Sequence, residues 1–139
     1  MEMLSYINWL AVVVGTIAYW IFCGIWHRPF AFGKKWEQAM GFNRPENWKE
    51  SNINFIVPLI SCFVTSVAIA VLLKLIGVNS ITNALTVGLL TGIGFAMAIV
   101  FTTSLIPTMK KPLVFGLITG TAQALGIIIA TLIIFFMSK

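Results

Sequence analysis

The stretch LVFGLITGTAQALGIIIATLIIFFM, Leu113 to Met137, runs through 25 residues without one charged side chain. As an α-helix rising 1.5 Å per residue it spans about 37 Å. The hydrocarbon core of a bilayer is about 30 Å thick, so this one segment is long enough to cross it. In water, such a run would need a coat of polar surface. The chain has too little: 9% of its 139 residues are charged and 59% are hydrophobic, whereas a soluble domain carries about 25% charged residues. The composition fits lipid as the solvent.

Three further uncharged runs precede it, at about Leu4 to Trp26, Asn54 to Leu73 and Ile81 to Ile106. In hydrocarbon every backbone amide must be satisfied within its own segment, and none of these runs alternates with the two-residue period of a barrel strand. Helices are therefore expected. The reading is an all-α polytopic membrane protein with residues 1–139 as one transmembrane domain. It is an antiparallel bundle of four transmembrane helices with a cytoplasmic interfacial segment at about 27–53. Met1-Glu2-Met3 lacks the basic region of a signal peptide, so the first run reads as a retained span. Gly77, Asn79 and Ser80 predict a short turn. Pro107 and Pro112 bracket another, and Pro112 suits the first turn of the last helix. Pro58 predicts either a kink or the true start of the second span.

The connection from His27 to Ile53 holds Arg28, Lys34, Lys35, Arg44 and Lys49, and the turn before the last span holds Lys110 and Lys111. These seven cations share one side, and Lys74 and Lys139 share the other. The positive-inside rule puts the seven in the cytoplasm of a multi-pass cell-membrane protein, with both termini outside. Cations placed between apolar runs set topology; they make no stripe for nucleic acid, so none is expected as a partner.

Within the connection, Phe32, Trp36 and Met40 recur at spacings of four, which predicts a short helix in the membrane interface that Gly41 ends. Asn43-x-x-Glu46, with Pro45 in its first turn, predicts a capping box opening a second short helix. Trp48 adds an interfacial anchor. His27, Arg28 and Trp36 are the candidate headgroup contacts: Arg28 offers a bidentate fork and His27 a titratable donor. The alternative is an aromatic belt with a snorkelling Arg28 and a helix-capping His27.

Inside the spans the polar candidates are Asn8, Thr119 and Gln123, which either line a solute path or join helices at about 0.6 kcal/mol per contact. Gly88, Gly92 and Ala96 recur every four residues, as do Gly116, Gly120 and Ala124. Such ridges predict that the last two helices pack on each other or mediate self-association. The two local strings are alike, which fits an inverted internal repeat or a coincidence of a limited alphabet. Cys23 and Cys62 lie in apolar runs and read as small hydrophobes. With one histidine and no CxxC pair, no metal or other cofactor is expected. All four carboxylates, Glu2, Glu37, Glu46 and Glu50, lie outside the spans, which argues against proton-coupled antiport. The chain has no aspartate and no catalytic set can be assembled.

Asn8-Trp9-Leu10-Ala11-Val12 at the head of the first span, Gly24-x-Trp26-x-x-Pro29 at its end, Phe32-Gly33-x-x-Trp36, and Phe115-Gly116 through Gly126 together resemble the bacterial and archaeal domain-of-unknown-function family 1761. The resemblance covers essentially the whole chain. It implies a small four-helix membrane protein and no particular activity. Members often carry Tyr-Ser-Pro where this chain has His27-Arg28-Pro29, so the resemblance gives His27 no mechanistic role. The expectation is thus a non-enzymatic membrane protein that self-associates or serves a membrane complex. One alternative is an oligomeric channel or transporter using Asn8, Thr119 and Gln123, with Arg28 near its mouth. A second is a lipid-binding or lipid-modifying protein at the cytoplasmic face, using His27.

Sidedness is testable by thiol labelling. In a background without native cysteines, Ser138→Cys should react with an impermeant maleimide on intact cells, and Lys49→Cys only after permeabilisation. The reverse pattern overturns the orientation.

Overall fold

A computed structural model describes residues 5–139. The expected start of the first span at Leu4 lies outside the described residues. Five helices follow in order: α1 (Trp9–Trp26), α2 (Gly33–Met40), α3 (Ile53–Ile76), α4 (Ile81–Ser104) and α5 (Pro112–Met137). All but α2 are long and apolar enough to cross a membrane.

The helix ends follow from local chemistry. Asn8 caps α1, its side-chain oxygen accepting the Ala11 amide at 3.1 Å, and Ser80 caps α4 through the Asn83 amide at 3.2 Å. These bonds satisfy amides that a helix start leaves without partners. Gly41 and Gly77 end α2 and α3 in the left-handed region, at φ 77° and 68°. After Gly77 the Val78 amide returns to Leu73 O, a glycine-based C-terminal motif.

Several expectations need correction. Asn8 does not lie one turn inside the first span; it is the cap at its end. The second helix continues past Leu73 and takes in Lys74, whose cation suits the negative helix end. The third helix stops at Ser104, leaving Leu105 and Ile106 in the connection that follows. Pro58 sits within α3 without ending it. The Asn43–Glu46 pattern opens no helix; only a turn forms, with Pro45 O accepting from Trp48 N–H. Arg44 is held by Glu37 on α2 and by Glu50, which draws this segment across α2.

Helix α5 is the hub on which α1, α2, α3 and α4 all pack, while α1 also packs on α3. Its most apolar window is 50% buried, against 28%, 28% and 22% for the other three spans. Two of its faces are nearly bare of side chains. One carries Gly116, Gly120 and Ala124 toward α4. The other carries Gly126, over which the Tyr19 ring of α1 lies, and Ala130, whose carbonyl approaches Gly15. The helices alternate in direction. Asn8 Nδ2 donates to Met137 O at 2.7 Å at one end, and Lys111 N–H donates to Ala39 O at 2.8 Å at the other.

Residues Leu90–Met97 in the middle of α4 form a π-helical stretch. Gly88 faces Ile128 and Thr131, Gly92 faces Ala124, Met97 faces Gly120, and Phe101 with Ser104 faces Gly116. The contact positions advance by four on α5, but from 92 to 97 on α4. The wider π turn takes up the extra residue. The two glycine ridges therefore interlock with side chains and backbone of the opposite helix rather than meeting glycine to glycine.

A Cβ on Gly92 would stand 2.8 Å from Ala124 O and 3.0 Å from its Cα, whereas one on Gly94 would meet nothing within 4 Å. Gly92→Ala should lower stability in detergent by about 1–3 kcal/mol, the usual cost of overpacking. Gly94→Ala should stay within about 0.5 kcal/mol of the parent, as for an open position. Unfolding titrations in mixed micelles check this, and equal effects would remove the close α4–α5 contact.

Candidate functional site

Gly33 decides how the chain leaves the first span. A Cβ there would overlap the carbonyl of His27 and the backbone of Arg28. Only glycine lets the chain double back so tightly, and the return lays α2 against α5. Three indole N–H groups then find acceptors across helices. Trp20 Nε1 donates to Phe55 O at 3.1 Å, Trp26 Nε1 to Ile118 O at 3.1 Å, and Trp36 Nε1 to the Thr119 hydroxyl at 3.0 Å. The Trp36 ring stacks near Phe115 with centroids 6.1 Å apart and takes the His27 ring at its edge at 5.0 Å. Trp26 and Phe32 pack at 4.4 Å. In the short helix expected in the membrane interface, Trp36 docks on the protein, against Thr119 and Phe115 of α5. An indole donor near the membrane needs an acceptor, and Thr119 supplies one.

This places the headgroup candidates. His27 Nδ1 lies 2.8 Å from Cys23 O, so this nitrogen carries the proton and donates. Arg28 stands 4.0 Å from Glu50. Trp36 points inward. The three do not converge on a common point facing outward.

The polar intramembrane candidates also separate. Asn8 is at the opposite end of the protein and Thr119 is occupied by Trp36. Gln123 takes part in a different arrangement. The Tyr19 hydroxyl donates to its Oε1. Both line a cleft of about 250 Å³ with Cys23 on α1 and Val57, Pro58, Ser61, Cys62 and Thr65 on α3. Tyr19 is 3% exposed, while Val57, Pro58 and Ser61 lie on the outer surface of α3. The cleft thus opens sideways between α1 and α3 and has Gln123 of α5 at its floor.

Among the described residues no charged side chain lines this cleft. Ser61 Oγ donates to Val57 O at 3.0 Å, and Cys23 Sγ lies 3.7 Å from Ala122 O. The amide nitrogen of Gln123 makes no hydrogen bond to protein among the described residues. One turn along the buried face of α3 from Cys62 is Ser66, whose Oγ is buried without a partner. At 1.5 Å per residue, Ser61 is about 12 Å along α3 and Gln123 about 16 Å along α5, both from the end carrying residues 27–52. The cleft therefore belongs to that half of the spans.

Of the residues that line this cleft, only Gln123 stands out from the sequence as a polar candidate. Tyr19 carried a signal, since a phenol in a long apolar run needs a hydrogen-bond partner. Ser61, Cys62 and Thr65 gave only a loose cluster on adjacent turns.

Burial of the His27 imidazole lowers its pKa below the usual 6.5, the hydrogen bond to Cys23 O opposing in part. The unfolded chain then binds the proton more readily than the folded one. The stability this site contributes is complete above about pH 6.5 and is lost as pH falls from there toward the folded pKa. Acid should therefore destabilise the parent more than a His27→Asn variant, compared by melting in detergent from pH 7.5 to 5. Parallel curves would show that His27 does not titrate in this sense.

No curated protein and no solved structure matches the chain significantly. A family model described as a protein of unknown function, DUF1761, matches residues 10–135. That match takes in all four long helices and the hairpin at Gly33, and the chain belongs to the DUF1761 family.

Proposed function

We propose that this protein is a non-enzymatic multi-pass membrane protein that holds a small uncharged amphiphile in the cleft between α1 and α3. The observation that supports it is the lining. A phenol, two thiols, two aliphatic hydroxyls and an amide gather at membrane depth, with no charge among them and an opening on the outer surface of α3. A polar group facing hydrocarbon needs a partner, and the Gln123 amide nitrogen offers its two hydrogens to an acceptor. A ligand carbonyl or hydroxyl matches it, with an apolar tail left in the bilayer. A fixed charge has no counter-charge here and would be expensive.

Binding is favoured over conduction because Asn8 lies at the opposite end of the protein and Thr119 is taken by Trp36, so neither joins Gln123 in this cleft. Self-association rested on the glycine ridges, which the chain uses in its own α4–α5 seam. A catalytic His27 has no support in its surroundings, because its imidazole meets Cys23 O and the Trp36 ring, neither of them an acid, a base or a nucleophile. In the proposed orientation the cleft lies toward the cytoplasmic leaflet, because the seven cations cluster at that end.

A photoreactive diazirine fatty alcohol and its hydroxyl-free hydrocarbon counterpart test this in nanodiscs. The alcohol should label α1 and α3 around residues 19–23 and 57–65. Tyr19→Phe with Gln123→Leu should cut that labelling about tenfold, the loss expected when hydrogen bonds fixing a polar head are removed. Equal labelling by the two probes, or labelling spread along every outer face, overturns the reading.

A further inference from the structure

The end of the protein that carries residues 27–52 and 105–111 has a second cleft, of about 200 Å³, lined by Gln38, Gly41, Asn43, Lys110 and Lys111. It shares no residue with the cleft between α1 and α3. The cations at this end differ in their surroundings. Arg44 donates to Glu37 through Nε at 2.8 Å and reaches Glu50 at 3.5 Å, and Arg28 stands 4.0 Å from Glu50. The two arginines, best suited by shape to grip an anion, are thus engaged by glutamates. Lys110 and Lys111 have no carboxylate within ion-pair distance among the described residues, and no acidic side chain lines their cleft.

The position is set by the backbone. The Lys111 amide donates to Ala39 O at 2.8 Å, tying the turn before α5 to the last residues of α2. Gly41, left-handed at φ 77°, turns the chain away beside the Lys110 stem and brings Asn43 to the same cleft. Lys111 is also the cap residue of α5, and no side chain accepts from the first amides of that 26-residue helix. Its positive end is open to an acceptor. Pro112 begins a span, so both lysines stand at the height where the headgroups of a bilayer begin.

We propose that this cleft binds a phosphate group, supplied by an anionic lipid headgroup or by free phosphate. A phosphate has only acceptor oxygens and a negative charge. Lys110 and Lys111 supply the counter-charge, Gln38 and Asn43 supply neutral amide donors, and the start of α5 adds its dipole. The arrangement selects for phosphate over a neutral headgroup, and its two lysines need no rearrangement of existing ion pairs.

The full chain in nanodiscs tests this with two probes. In discs of phosphatidylcholine alone, inorganic phosphate is titrated and its ³¹P line broadening followed. In discs containing phosphatidylglycerol, the lipids retained by the protein are weighed by native mass spectrometry. At least one probe should bind. K110Q/K111Q should weaken that binding about tenfold or more, in keeping with the electrostatic contribution of a lysine at a membrane surface. K74Q/K139Q, the same charge change at the opposite end of the protein, should alter it by less than about twofold, since both lysines stand more than a screening length from the cleft. A response with phosphatidylglycerol alone assigns a headgroup, and a response with inorganic phosphate assigns a site open to free phosphate. Should K110Q/K111Q fail to fold, Gln38→Ala with Asn43→Ala, both exposed, carries the same test. Binding by neither probe, equal loss in the two lysine variants, or no loss when the amides are removed would overturn the proposal.

Discussion

The fold depends on how closely other helices can approach α5. Hydrocarbon gives two apolar helices no hydrophobic reason to meet, so association in lipid rests on packing and on polar contacts. The buried faces of α5 are largely glycine and alanine: Gly116, Gly120, Ala122, Ala124, Gly126 and Ala130. Gly126 leaves room for the whole ring of Tyr19, and Gly92 brings the backbone of α4 against that of Ala124. These contacts make one helix the neighbour of all the others. The cleft follows from the same geometry, since the Tyr19 ring packs against Gly126 and its hydroxyl reaches Gln123.

A second constraint acts at the helix ends and on the indoles. Near the membrane a donor without a partner is costly. Asn8 answers twice, capping α1 with its oxygen and binding Met137 O with its nitrogen. Trp20, Trp26 and Trp36 each cross to another helix, so three residues that look like lipid anchors instead tie α1 and α2 to the rest. The tight return at Gly33 makes the third of these bonds possible. With α2 turned the other way, neither Trp36 and Thr119 nor Lys111 and Ala39 would meet.

The features legible in the sequence are those set by one segment acting alone. Uncharged length located the four spans to within a few residues, and Gly41, Gly77, Ser80 and Pro112 marked helix ends by local backbone chemistry. The failures came where two segments compete. Asn43-x-x-Glu46 is a sound local start signal, yet Arg44 binds Glu37 and Glu50 across the chain and the helix does not form. The residues of the π stretch, Leu90–Met97, are ordinary helix formers, and the extra residue shows only when Met97 is found opposite Gly120 where a spacing of four would put Ala96. Gln123 stood out as an amide in mid-span, but its partner Tyr19 lies 104 positions away and no local pattern joins them.

At the end carrying residues 27–52 the two clefts divide the chemistry by depth. Within the spans the lining is neutral, and at their border it is cationic. This division follows from what each solvent tolerates. A lysine at the height of Gln123 would lose most of its hydration, whereas at Lys110 and Lys111 water and headgroups remain in reach. The glutamates at this end add to the contrast. Glu37 and Glu50 give Arg44 and Arg28 carboxylate partners at the surface, while Lys110 and Lys111 line a cleft without one among the described residues. The positive charge there therefore serves two physical ends: it biases which side of the membrane this end occupies, and it leaves two adjacent cations beside an uncapped helix start.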